Sequence, residues 1–548
     1  MQSFRYRPQP RIGEICRLAL LALVLCLLAV PAVAQPDDEA FADLVRQLNA
    51  DSFPAKSAAA AAVAESGHPR AEPVLRALSE SRLFFRIRGG DVVIARETED
   101  GYALTDPVTG EPAGEATRYE IRRVVINNAI RGEIQDLLAV AGLNSPEPAT
   151  REAAVDRLLS NLSREATNLI RAAIEDEPVA TIRETMAVAL ALSRLEAEDP
   201  AVRLEAVGAL EGALQDRVRN RLRDVAEQDP DPAVQRRAAE VLTSIENERA
   251  WWGLAEQVFF GLSMGSVLML AAFGLAITFG VMGVINMAHG ELIMIGAYTT
   301  YVVQQLMPNH IDASILVAIP AAFLVAGAFG VAIERGVIRF LYGRPLETLL
   351  ATFGLSLVLQ QLVRTVFSPL NRQVNTPSWM SGSLELNPVF TLTLNRLYVI
   401  AFALAVFFVL IAVFKRTTLG LRVRAVSQNR AMARAVGVSS ARVDALTFGL
   451  GAGVAGLAGV ALSQLTNVGP NLGQGYIIDS FLVVVFGGVG NLWGTLVGGL
   501  TLGVLNKFLE PQTGAVLAKV LVLMFIILFI QKRPQGLFPQ RGRAAAEG

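Results

Sequence analysis

The sequence predicts an all-α polytopic membrane protein of about eight membrane segments, one pair of them half-length. A mostly α periplasmic repeat domain with a small β insert is predicted to precede them. Hydrophobic residues make up 52% of the 548 residues and charged residues 18%, well below the quarter usual in soluble domains. The charges crowd before Trp251 and thin out after it. In the first half, a proline-headed helical pattern recurs at a spacing of 32 residues.

Residues 1–34 read as an export signal. Arg5, Arg7, Arg11 and Arg17 form a basic start, Leu18 to Val30 is an apolar stretch shorter than a bilayer span, and Ala32-Val33-Ala34 offers a small-x-small cleavage site. Cleavage there removes Cys16 and Cys26, the two cysteines of the chain. Disulfide frameworks, thiolate zinc sites and thiol catalysis are thereby excluded. Three scattered histidines, His68, His289 and His310, exclude a histidine-rich metal centre. A net charge of −1 without a basic block excludes nucleic acid as a partner.

Residues 35–250 read as a helical-repeat domain. Asp199-Pro200 and Asp231-Pro232 each open an apolar helical run, and Pro146 and Pro178 do the same at the same offset of 32. An aspartate can cap free N–H groups, and proline suits the first helical turn. Small alanines let paired helices approach, so the stretch resembles short HEAT-like repeats. Glycine and proline turns between β-prone runs predict a hairpin or three-stranded insert at about 84–127. The domain shows no catalytic constellation, and no enzymatic activity is expected.

Residues 251–538 read as the membrane domain. Trp251-Trp252 suits an interfacial anchor. Spans are predicted near 257–280, 290–306, 314–334, 346–366, 397–414, 444–464 and 514–531. The segment 477–506 is apolar but broken at Gly487-Gly488-Val489-Gly490. Loops after the third, fifth and last spans carry about fourteen basic residues against about three on the other side, which makes their side cytoplasmic. Parity then requires 477–506 to enter and leave on one face; two half-length segments broken at the glycines satisfy this, with close packing of small residues as the competing reading. Residues 539–548 form a cytoplasmic tail.

Polar groups inside a membrane need a reason. Asn286, His289 and Glu291 lie in one short turn between the first two spans. With Thr278, Gln360, Gln361, Ser463, Asn467 and Asn491 they are the candidates for a solute pathway; capping and packing are the competing roles. Buried carboxylates are scarce, which favours energy supplied from outside the spans. The basic loop 415–443 holds a short helix from Ala431 to Val436 ended by Gly437, suited to seat in a groove of a motor protein. The chain contains no Gly-Lys pair and so no P-loop; any ATPase is a separate subunit.

Several separated motifs resemble the branched-chain amino-acid (LivH-type) ABC permeases. They are Gly261-Leu262-Ser263-Met264-Gly265-Ser266, Asn286-Met287-Ala288-His289-Gly290-Glu291, Glu334-Arg335, Arg422 to Asn429 with Gly437, and Phe486 to Thr495. The resemblance covers roughly 255–538. It implies an inner-membrane importer with a periplasmic solute-binding protein, a second related permease subunit and two cytoplasmic ABC ATPases, with ATP bound by those partners and no cofactor in this chain. It assigns ATPase coupling to Arg422, Arg424, Gln428, Asn429, Arg430, Ala431, Arg434 and Gly437, although Ala431 stands where a glutamate is common. The exported repeat domain resembles the urea-type branch. Urea or a short-chain amide is therefore the expected solute, with a branched-chain amino acid as the alternative and a stand-alone channel or secondary carrier as the alternative of another class.

Overall fold

A computed structural model describes residues 38–50, 52–98 and 101–539. The expected export signal at 1–34 and nearly all of the expected tail at 539–548 lie outside those residues. The described chain divides into two compact units. The first ends at Ala213 and takes in Arg217–Thr243; the second comprises Leu214–Asp216 and the chain from Ser244 on.

The first unit opens with α1 (Asp38–Gln47), α2 (Phe53–Glu65) and α3 (Ala71–Ser79). Phe41, Val45, Val63, Leu75 and Leu78 from these helices, and Leu48 from the turn after α1, form a core with Ile134. An antiparallel sheet follows: β1 (Leu83–Arg86), β2 (Val92–Thr98), β3 (Gly101–Thr105), β4 (Pro112–Ala116) and β5 (Ile121–Arg123), in the order β4-β3-β2-β1-β5. Leu83 pairs with Ile94, Phe85 with Arg122 and Ala95 with Leu104. The insert thus has five strands where two or three were predicted. The edge strand β4, Pro-Ala-Gly-Glu-Ala, has no β-prone residue; it is held by pairing with β3, by Ala113 and Ala116 packing on the sheet's apolar cluster, and by Arg86 Nη2 donating to Ala113 O at 2.7 Å.

The repeat helices are α4 (Asn128–Gly142), α5 (Pro148–Ser160), α6 (Arg164–Ala173), α7 (Ala180–Arg194), α8 (Pro200–Ala209) and α9 (Asp216–Gln228); α10 (Pro232–Met282) begins in this unit. Asp199 caps α8 by accepting from Ala201 N at 2.9 Å, and Asp231 accepts from Ala233 N at 2.7 Å, as the proline-headed pattern predicts. Two buried ion pairs share one design. Arg151 donates from Nε and Nη2 to Glu177 at 2.8 and 2.9 Å and from Nη1 to the carbonyls of Ser145 and Pro146. Arg203 does the same to Asp229, at 2.8 and 2.9 Å, and to the carbonyls of Ala197 and Glu198. Hydrogen bonding to these arginines holds the Glu177 and Asp229 carboxyls below the ordinary carboxylate range.

Helix α10 is continuous through position 250, so no break in secondary structure marks the expected domain boundary. After it come α11 (His289–Leu306), α12 (Ile311–Gly336), a short 3-10 turn, α13 (Pro345–Phe367), a two-stranded ribbon of β6 (Ser383–Glu385) and β7 (Thr391–Thr393), and α14 (Leu394–Arg416). The chain ends with α15 (Thr418–Gln428), α16 (Arg430–Ala435), α17 (Ser440–Ser463), α18 (Gln474–Gly487), α19 (Leu492–Thr513) and α20 (Ala515–Lys532). Among the described residues, seven helices are long and apolar enough to cross a membrane: α10, α12 with its 3-10 turn, α13, α14, α17, α19 and α20.

Two expectations change. The predicted span 290–306 is α11, an 18-residue helix outside that group of seven. Its one histidine, one glutamate and two glutamines lower its hydropathy, and most of it is buried in protein rather than facing lipid. The predicted half-length pair 477–506 is unequal. α18 has 14 residues, but α19 has 22 and runs on through Lys507 and Glu510, which pair at 2.8 Å. The break between them falls at Gly488 and Gly490, as predicted.

Helix α17 is buried along nearly its whole length, between α11 and α12. Small residues make this possible: Gly449, Gly453 and Gly456 face α12, while Gly459 meets the backbone of α11. The outer faces of α12, α13, α14 and α20 expose Leu, Val and Phe side chains, as lipid contact requires. The last described residues fold back on the break after α18. Leu537 N donates to Phe486 O at 2.9 Å, Phe538 N to Gly487 O at 3.1 Å, and Asn491 Nδ2 to Phe538 O at 3.3 Å.

Candidate translocation site

Gly283 takes a positive φ and ends α10, and the chain returns through Asn286 to start α11 inside the bundle. His289 Nε2 lies 2.9 Å from the Ala271 carbonyl, about three turns before the end of α10. The N-terminus of α11 meets the start of α18 here. Gly290 and Gly473 touch backbone to backbone; a Cβ on Gly290 would come within 2.7 Å of the Gly473 carbonyl oxygen, so neither tolerates a side chain without displacement. Helix α11 begins among buried residues, and its first N–H groups are taken up locally: Ala288 N bonds Asn286 Oδ1, His289 N bonds Asn286 O and Glu291 N bonds Ala288 O.

The polar turn is tied to α13. Met287 N donates to Thr352 Oγ1 at 3.1 Å. Glu291 Oε1 accepts from Ser356 Oγ at 2.6 Å and from Gln360 Nε2 at 2.8 Å. Asn286 Oδ1 accepts from Ala288 N at 3.0 Å. All of these groups are buried, yet Asn286 Nδ2, His289 Nδ1 and Glu291 Oε2 have no hydrogen-bond partner. Buried polar atoms without partners are costly, and these three in one turn make it the candidate site of the membrane half.

Of the predicted pathway residues, the structure joins Glu291 and Gln360 by a hydrogen bond; Asn286 and His289 are buried in the same turn, but His289 faces α10 whereas Glu291 faces α13. Gln361 is exposed on the opposite side of α13, because neighbouring residues on a helix diverge by about 100°. Thr278 spends its hydroxyl on the Gly274 and Leu275 carbonyls of its own helix. Ser463 likewise bonds Val460 O, and it receives Gln464 Nε2 at 3.3 Å. Asn467 is exposed in the loop after α17. Asn491 caps α19, its Oδ1 accepting from Trp493 N and Gly494 N, so its role is structural. The stripe Thr348, Thr352, Ser356 and Gln360, buried at four-residue spacing, contains three residues that sequence reading missed. The spacing itself was the available signal.

The basic loop forms α15 and α16. Asn429 caps α16, its Oδ1 accepting from Met432 N at 2.9 Å. Gly437, at φ +87°, closes the helix: Val438 N bonds Ala433 O and Gly437 N bonds Arg434 O. Val423, Val426 and Ala433 point inward with Val443. Leu421, Met432 and Val436 are 61%, 61% and 71% exposed, beside exposed Arg422, Arg424, Gln428, Ala431 and Arg434. Arg424 Nη1 also donates back to the Phe414 carbonyl. An apolar face with basic flanks, standing clear of its own fold, is shaped for a protein partner. Arg430 differs from its neighbours: it turns inward to Asp444.

The described membrane half is thus a bundle of apolar helices that buries a polar junction where α11 starts. Residues 257–531 match the family described as "Branched-chain amino acid transport system / permease component", and residues 188–257 match HEAT repeats. The chain is 31% identical over 291 residues to the high-affinity branched-chain amino acid permease protein BraD of Pseudomonas aeruginosa, covering 52% of this chain and 94% of that one. It is 32% identical over 293 residues to LivH of Escherichia coli K12, at the same coverage. The ribose import permease protein RbsC of Escherichia coli K12 is 28% identical over 287 residues, 50% of this chain and 84% of that one. The chain belongs to the branched-chain amino acid transport permease family.

Proposed function

We propose that this chain is the membrane-spanning subunit of an ABC importer for branched-chain amino acids, with the repeat domain periplasmic and α16 cytoplasmic. Separate ATPase subunits drive it, a periplasmic binding protein delivers the solute, and a second related permease subunit completes the pathway. The observation that carries this reading is the family match across the whole membrane half, to relatives named for branched-chain amino acid transport. The sequence favoured urea or a short-chain amide on the strength of the repeat domain. The aligned half of the chain gives that preference no support, and the amino-acid alternative takes its place.

Uptake of labelled leucine by cells carrying or lacking the gene tests the reading, with excess unlabelled isoleucine or excess urea as competitor. Loss of leucine uptake on deletion, with competition by isoleucine and not by urea, is the expected result. Unchanged leucine uptake on deletion, with loss of labelled urea uptake, would reverse the choice of solute. Reconstitution of the chain alone tests the mechanism: flux without ATPase subunits would make it a channel or carrier.

A further inference from the structure

Asp444 lies in the first turns of α17 with a side chain 1% exposed. A buried carboxylate needs a partner, and it has one from a different element. Arg430, the first residue of α16, reaches inward with Nη1 2.5 Å from Asp444 Oδ2 and Nη2 3.1 Å from Oδ1. The same guanidinium lies over the Tyr342 ring, 5.1 Å from its centroid. Tyr342 Oη donates to Glu334 Oε1 at 3.2 Å, at the end of α12, and the other oxygen of this buried carboxylate is 3.6 Å from Arg335 Nε. Arg434 adds a second tie, from Nε to Ser440 Oγ at the start of α17, at 2.8 Å.

We infer that Arg430, Asp444, Tyr342 and Glu334 form a transmission joint, which passes movement of α16 to the α12–α17 pair. The inference rests on the proposed function, in which an ATPase seats on α16. The outward face of α16 carries Met432 and Val436 for that contact, and its inward face carries Arg430. A bidentate guanidinium–carboxylate pair fixes direction as well as distance. Displacing α16 without α17 would strand the Asp444 charge in the bundle, so the two move together. Stacking on Tyr342 extends the connection to α12. Beyond the joint, α17 packs by small residues against α12 and α11, and α11 begins at the Asn286–Glu291 junction. Arg430 and Asp444 are therefore positioning residues for the transport step.

The test uses the complete importer, this chain with its ATPase subunits and binding protein, in proteoliposomes. Three readings are taken: co-purification of the ATPases, ATP hydrolysis, and solute moved per ATP. Asp444→Asn and Tyr342→Phe leave the exposed face of α16 intact, so ATPase recovery is expected to match the parent. Solute moved per ATP is expected to fall about tenfold in Asp444→Asn, and by a smaller factor in Tyr342→Phe. Arg430→Asp is expected to fail alone and to recover part of the coupling when combined with Asp444→Arg. An unchanged ratio in Asp444→Asn overturns the joint while leaving the importer reading in place. If Asp444→Asn is not recovered from the membrane, Tyr342→Phe decides, since it removes one hydroxyl; an unchanged ratio there overturns the joint. If the ATPases fail to co-purify with the parent chain, the importer reading fails and takes the joint with it.

Discussion

Glu291 gives one carboxylate oxygen to Ser356 and Gln360 and leaves the other without a partner. Truncating it strands two buried donors. Glu291→Ala is expected to cost about 1–2 kcal/mol of stability in detergent and to abolish uptake, whereas Glu291→Gln should keep the fold and lower uptake about tenfold. Thermal denaturation and transport assays on the same preparations separate the two effects. At this scale the sequence was partly legible. Asn286, His289 and Glu291 were recognisable because polar residues between apolar spans need a reason. Gln360 and Gln361 were not separable by type; the helical period divides them, and the Thr348–Thr352–Ser356 stripe shows which one faces inward. Asn491 read as a pathway residue because a cap and a pathway amide look alike until the adjacent N–H groups are placed.

The paired arginines of the repeat domain make a prediction at the level of the element. Glu177 and Asp229 have lowered pKa values in the folded state, so their contribution to stability is complete above the ordinary carboxylate range near pH 4. It is lost as the pH falls through the lowered folded-state values. Hydrogen exchange in the full chain is expected to show protection of α5–α9 dropping below about pH 4, ahead of the membrane half. Arg203→Met should lower the protection of α8 and α9 at neutral pH and reverse the sign of that pH dependence, because Asp229 is then buried without its cation and protonation relieves the cost. The 32-residue pattern located the starts of α8 and α10, fell two residues ahead of those of α5 and α7, and missed this pairing. The ion pairs repeat at 52 residues, visible afterwards as Pro148-Ala149-Thr150-Arg151 and Pro200-Ala201-Val202-Arg203. Helix α16 was read from its stop signal, and that signal has a strict test. Proline cannot adopt φ +87°, so Gly437→Pro should unseat α16 and reduce ATPase recovery in a pull-down while the chain still inserts. The lengths of α18 and α19 were not legible, since the charged pair Lys507–Glu510 reads as a terminus until the two residues are seen to satisfy each other.

For the whole molecule, the helical fold class and the division into a repeat-rich and a lipid-facing half follow from composition, because a chain must bury or expose its apolar surface consistently over long stretches. Sidedness is the part that needs measurement. With Cys16 and Cys26 replaced by serine, single cysteines can report it without background. Met432→Cys, on the exposed face of α16, is expected to react with an impermeant thiol reagent only from the cytoplasmic side, and Trp379→Cys only from the other. Labelling of both from one side would break the assigned topology.

The fold-back of Leu537 and Phe538 onto the α18 end bears on how the protein can be handled. Three hydrogen bonds close the gap between α18 and α19, and they come from a strip of chain past the last membrane helix. Shortening the gene to stop at Lys532 would delete a brace, not a dangling end. An affinity handle or fluorescent fusion therefore belongs beyond Phe538, where it lengthens the polypeptide without prising open the hairpin above it.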